Sequence, residues 1–189
     1  MAKELKFIHI TKTAGTSIED CAHKKNINFG RFHKEYGQWH NFFPNKPLEL
    51  KLKYDWFLVV RNPYSRIISE YHCKWGGIGK NNVVHTKEEM NKYIVNKINK
   101  RSKDGYHYSE QYLYIDTNPD VKIHILKFED LDRQFNKLME IYKIDLKLDV
   151  INNQCANKIY HVKDLSRETL DLINQVYKAD FELFNYKMK

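Results

Sequence analysis

Short, largely apolar runs alternate along the chain with stretches where apolar residues return every three or four positions. Leu5 to Ile10 and Trp56 to Val60 are apolar runs, the pattern of strands buried on both faces in a parallel sheet. Val121 to Phe128 alternates apolar with polar residues and predicts a further strand closed by Leu126 and Phe128. Ile27, Phe29 and Phe32 suggest another short one. Helical spacing appears in Ile18, Cys21 and Ala22; in Met90, Tyr93, Ile94 and Ile98; in Phe135, Leu138, Met139 and Tyr142; and in Leu170, Ile173, Val176 and Tyr177. Helix starts are marked by Asn62 before Pro63, by a Thr86/Glu89 capping box, by Asp130 or Asp132, and by Ser166. Strands alternating with helices predict an α/β fold, a mostly parallel sheet flanked by helices.

Two strand-to-helix junctions carry candidate chemistry. The first run stops at Thr11-Lys12-Thr13-Ala14-Gly15-Thr16-Ser17, and a helix follows at once. That geometry aims backbone N–H groups and a helix N-terminus at an anion. Lys12 adds a mobile positive charge, and Thr13, Thr16 and Ser17 add hydroxyls. The order differs from a Walker A loop, which places its lysine after the second glycine. An ordinary turn capped by Thr16 or Ser17 is the alternative. At the second junction Arg61 ends a strand and Ser69 lies two turns into the next helix. An arginine fork and a hydroxyl suit a terminal phosphate.

Lys12-Thr13-Ala14-Gly15-Thr16-Ser17 resembles the 5′-phosphosulfate loop of sulfotransferases that use 3′-phosphoadenosine 5′-phosphosulfate (PAPS). Arg61-Asn62-Pro63 followed by Ser69 resembles their 3′-phosphate motif. Lys127-Phe128-Glu129-Asp130-Leu131 is similar to the family's next strand-to-helix junction. Asp180-Phe181-Glu182-Leu183-Phe184-Asn185-Tyr186 is similar to the close of Golgi-type and bacterial carbohydrate sulfotransferases. Gly15 departs from the threonine or serine of many members.

The resemblance implies one sulfotransferase domain over residues 1–189, with a sheet and phosphate loop related to P-loop nucleotide proteins. It implies PAPS as donor, 3′-phosphoadenosine 5′-phosphate (PAP) as product, no metal, and a saccharide hydroxyl as acceptor. The donor site would comprise Lys12, Thr13, Ala14, Gly15, Thr16, Ser17, Arg61 and Ser69, with Lys158 on a late basic loop. Lys12 would also act in catalysis. The base that accepts the acceptor's proton would be His40, in the aromatic and histidine-rich loop Glu35 to Pro44, with His33 just before it as second choice.

Composition narrows the partners. The 189 residues carry a formal charge of +8, from 32 basic and 24 acidic side chains. Nucleic acid, anionic lipid or an anionic small ligand all suit such a surface. The lysines are scattered rather than gathered into an arginine-rich block, which weakens the nucleic-acid option. Cys21, Cys73 and Cys155 form no C-x-x-C, so neither a zinc site nor a disulfide framework is indicated. The first apolar run is too short for a signal peptide, and no run approaches a membrane span. A soluble, cytoplasmic chain is the expectation. Two other classes stay open: a phosphotransferase or nucleotide-binding protein on the same fold, and a basic RNA-binding protein. Residues 73–118 carry no motif. They are the expected source of acceptor specificity, with His85, His107, Tyr108 and Gln111 as candidates, and Gly76, Gly77 and Gly79 make a connector there.

Overall fold

The computed structural model describes residues 3–30, 40–79, 85–101, 106–148 and 159–189. They form two compact units, one from residues 1–60 and 113–154, the other from 61–112 and 155–189.

The first unit is a three-stranded parallel sheet with helices. Its strands are β1 (Leu5–Ile8), β2 (Asp55–Val60) and β3 (Ile123–Lys127), in the order β1-β2-β3. β2 is central, and all six of its residues are buried. It pairs Leu5 with Asp55 through Ile8 with Leu58 on one side, and Trp56 with Ile123 through Val60 with Lys127 on the other. Its neighbours satisfy both backbone edges, so an unbroken apolar run is the sequence it requires. β3 is an edge strand, and Ile125 on it is 42% exposed.

Helices α1 (Gly15–Lys24) and α5 (Leu131–Tyr142) bring Ile18, Ala22, Phe135, Leu138 and Met139 into one core with Phe7, Phe57 and Val59. Phe57 is its hub: its ring lies 4.7 Å from Phe7, 5.1 Å from Phe29 and 6.0 Å from Phe135. Truncating such a fully buried ring to alanine costs about 3–5 kcal/mol. The short helix α2 (Leu48–Lys53) starts directly after Pro47, whose fixed φ suits a helix entrance.

Three expectations change here. Ile27 and Phe29 lie in no strand, although the Phe29 carbonyl accepts from the Phe7 N–H at 2.9 Å. Their apolar character comes from packing, since Phe29 is buried in the core; Phe32 lies outside the described residues. The third strand is shorter than its pattern, because Phe128–Asp130 already turns as 3₁₀ helix. Asp130 stands at the N-cap of α5, but its carboxylate takes Arg133 and Gln134 instead of backbone N–H groups.

The second unit is helical. α3 (Pro63–Tyr71), α4 (Lys87–Asn99), α6 (Arg167–Val176) and α7 (Lys178–Leu183) enclose Tyr64, Ile67, Tyr71, Met90, Ile94, Ile98, Ile173 and Phe181. The expected starts hold. Asn62 accepts from the N–H groups of Tyr64 and Ser65, the Thr86/Glu89 box is closed, and Ser166 accepts from the Thr169 N–H. Each such cap stabilises its helix by about 1 kcal/mol. Among the described residues no helix is long and apolar enough to cross a membrane.

Candidate active site

In the first unit, six residues link the end of β1 to the start of α1. Thr13 is buried, and its hydroxyl donates to the Ile10 carbonyl at 3.0 Å, tying the turn down. Lys12 and Ala14 then take left-handed backbone conformations, with φ of 61° and 71°. Such residues cost about 1–3 kcal/mol each where glycine would adopt the conformation freely, and they cluster at ligand sites. Left-handed and right-handed residues in succession turn their N–H groups toward one side, the geometry of an anion nest.

Ala14 is the N-cap of α1 and offers no side-chain cap. The turn capped by Thr16 or Ser17 is therefore not what forms. The Ile18 N–H reaches the Ala14 carbonyl at 3.1 Å, which leaves the N–H groups of Gly15, Thr16 and Ser17 at the helix end, where no intrahelical acceptor exists. Ser17 is 6% exposed, and its buried Oγ has no hydrogen-bond partner among the described residues. A buried hydroxyl left so costs about 1–3 kcal/mol unless a ligand satisfies it.

Gly15 owes its identity to His9. A Cβ at Gly15 would stand 2.2 Å from His9 Nε2 and 2.3 Å from its Cδ2. The threonine or serine of many family members would not fit against this imidazole. His9 Nδ1 faces the buried Glu19 carboxylate of α1 at 3.9 Å.

His40 stands beside the same loop. Its ring meets the His9 ring edge-on at 4.6 Å, and its Nδ1 lies 3.0 Å from the His9 carbonyl oxygen. A carbonyl only accepts, so Nδ1 carries the proton and Nε2 is the basic nitrogen. Tyr114 Oη donates to the His40 carbonyl at 2.9 Å, holding a backbone whose φ is 62°. His40 is thus fixed at ring and backbone, the condition for a positioned base. His33, the second choice, lies outside the described residues, as does Lys158.

In the second unit, Arg61 is held by its backbone. Gln111 accepts from the Arg61 N–H at 2.8 Å and donates to its carbonyl at 2.8 Å. The Arg61 Nε donates to Ser65 Oγ at 3.0 Å, and that hydroxyl donates to the Asn62 carbonyl at 3.1 Å. Ser65 and Ser69 are four residues apart on α3 and share a face. The Arg61 side chain therefore lies against the face that carries Ser69, which is 6% exposed.

Behind Gln111 stands Asp180. Its carboxylate accepts from the backbone N–H groups of Gln111 at 2.9 Å and Tyr112 at 2.8 Å. Burial pushes its carboxyl group above the usual range, and those hydrogen bonds restrain the shift. Gln111, expected as an acceptor-specificity candidate, is fully buried with its side-chain amide bonded to the Arg61 backbone. Tyr108 is fully buried as well. His85 accompanies the Tyr71 hydroxyl at 3.0 Å, and burial pushes that phenol up to about 12. His107 binds Glu70 at 2.8 Å.

His9, Ser65 and Tyr114 carried no sequence signal. Their roles come from packing and from bonds to distant backbone atoms, which no local motif encodes.

A family model described as the sulfotransferase family matches residues 2–187. No curated protein and no solved structure matches the chain. The match runs through the nest, Arg61 and the Asp180 close, and the chain belongs to the sulfotransferase family.

Proposed function

We propose that this sulfotransferase takes PAPS as donor and a saccharide hydroxyl as acceptor, releasing PAP, on a sheet and loop related to those of P-loop proteins. The observation that carries the donor reading is the uncapped start of α1 with the buried, unpartnered Ser17 Oγ at its first turn. The unbroken family match supports one sulfotransferase domain over 1–189. Similarity of the chain's close to carbohydrate sulfotransferases supports the saccharide.

The donor supplies an activated sulfuryl group, whose bond to the 5′-phosphate oxygen breaks as a bond to the acceptor oxygen forms. The N–H groups of Gly15, Thr16 and Ser17, with the hydroxyls of Thr16 and Ser17, hold the 5′-phosphate. Ala14 and Thr13 contribute backbone to this nest. Lys12 stabilises charge on the departing phosphate oxygen. Arg61 and Ser69 grip the 3′-phosphate. His40 Nε2 takes the proton that the acceptor hydroxyl loses. Lys158 contributes a further positive charge to the nucleotide. Incubation with sulfur-labelled PAPS and a saccharide panel tests this. Label on a sugar hydroxyl with equimolar PAP is expected, and label on none of the saccharides overturns the acceptor class.

A further inference from the structure

Glu70, Cys73 and His107 bring one carboxylate oxygen, one thiol sulfur and one imidazole nitrogen within 4.8 Å of one another. None of them belongs to the proposed donor site. Glu70 closes α3, Cys73 opens the glycine connector, and His107 arrives from the segment after α4. Glu70 is fully buried and Cys73 is 6% exposed. Two chain segments, residues 70–73 and the stretch around His107, therefore converge on the donor set that suits a borderline-soft divalent cation.

Two further observations point to a ligand. The Trp75 N–H donates to Cys73 Sγ at 3.4 Å and so orients the sulfur, as supporting groups of metal sites do. Gly76 lets the connector close over the cluster: a Cβ there would stand 2.4 Å from His107 Nδ1 and 3.0 Å from Glu70 Oε2. The backbone is folded down onto the same two atoms that would coordinate.

We propose that Glu70 Oε2, Cys73 Sγ and His107 Nδ1 form a zinc-type site with a fourth position open to water. Zinc bonds of about 2.0–2.3 Å in tetrahedral geometry set ligand atoms about 3.3–3.8 Å apart. To reach that spacing the His107 Nδ1–Glu70 Oε2 pair, now hydrogen-bonded at 2.8 Å, opens by about 0.5–1 Å, and the sulfur, within 4.8 Å of both, closes by about 1 Å. On binding, the Cys73 thiol releases its proton to solvent, and the neutral imidazole coordinates through Nδ1 with its single ring hydrogen on Nε2. Arg66 Nη1 lies 3.8 Å from the other Glu70 oxygen, Oε1. The ion would tie α3, the glycine connector and residue 107 together. This assignment is independent of the donor and acceptor proposed above.

Titration of the full chain with Co²⁺, followed by absorption, is the test. Saturation at a single ion per chain with a thiolate-to-cobalt charge-transfer band is expected, and Zn²⁺ should displace it. His107→Ala should weaken Co²⁺ affinity by more than about 100-fold, beyond the loss typical of a merely supporting residue. Cys73→Ser should abolish the band. Should that variant fail to fold, the Cys21→Ser/Cys155→Ser double variant decides, since Cys73 is then the sole thiol; it should keep the band. No saturable binding, a band surviving Cys73→Ser, or a band lost in the double variant would overturn the site.

Discussion

The side-chain amide of Gln111 closes on both backbone groups of Arg61, accepting from the N–H and donating to the carbonyl, each at 2.8 Å. It does for Arg61 what a neighbouring strand does for a strand residue. Asp180 fixes the Gln111 N–H from behind at 2.9 Å. Gln111→Ala would remove two hydrogen bonds from the Arg61 backbone, at about 0.5–1.5 kcal/mol each. A lower melting temperature and weaker PAP binding are expected together, with turnover at saturating donor less affected. Unchanged PAP affinity would show that Arg61 needs no such support.

The Gly15–His9 contact makes a coupled prediction. Gly15→Ala places a methyl group 2.2 Å from His9 Nε2, and overpacking of this kind costs about 1–3 kcal/mol. His9→Ala should relieve most of that cost when the two are combined. Additive losses in thermal unfolding would mean that His9 is not what excludes a side chain at residue 15.

His40 is locked with its Nδ1 on the His9 carbonyl at 3.0 Å. His40→Ala should lower turnover by about 10²–10⁴-fold, the span of general-base catalysis, while PAP affinity stays within a fewfold. Equal loss of binding and turnover would make His40 a donor contact instead.

Lys12 is assigned to the departing oxygen. Lys12→Ala should cost about 10²–10³-fold in kcat and markedly less in PAP affinity. Parallel losses would reduce Lys12 to a binding contact.

The sequence showed most clearly what is decided locally. Asn62 with Pro63 and Thr86 with Glu89 set their helix starts through bonds spanning two or three residues, so their spacing is readable. The apolar run of β2 is legible for a similar reason, since burial on both faces leaves one solution. Phe29 misled because an apolar residue looks the same in a strand and in a core-facing loop. Thr13 looked like a ligand hydroxyl, yet it spends that hydroxyl on Ile10. Gln111, Asp180 and Tyr114 act across 50 or more residues of chain, and although Asp180 opens the closing motif, no local pattern names its partner.

Calorimetric titration with PAP, AMP and ATP in magnesium-free buffer tests donor recognition most directly. An arginine-to-phosphate contact contributes about 1.5–3 kcal/mol, so PAP should bind at least about tenfold more tightly than AMP or ATP, and Arg61→Ala should erase that margin. Equal binding of the three nucleotides, or no binding of PAP, would contradict the assignment of PAPS as donor.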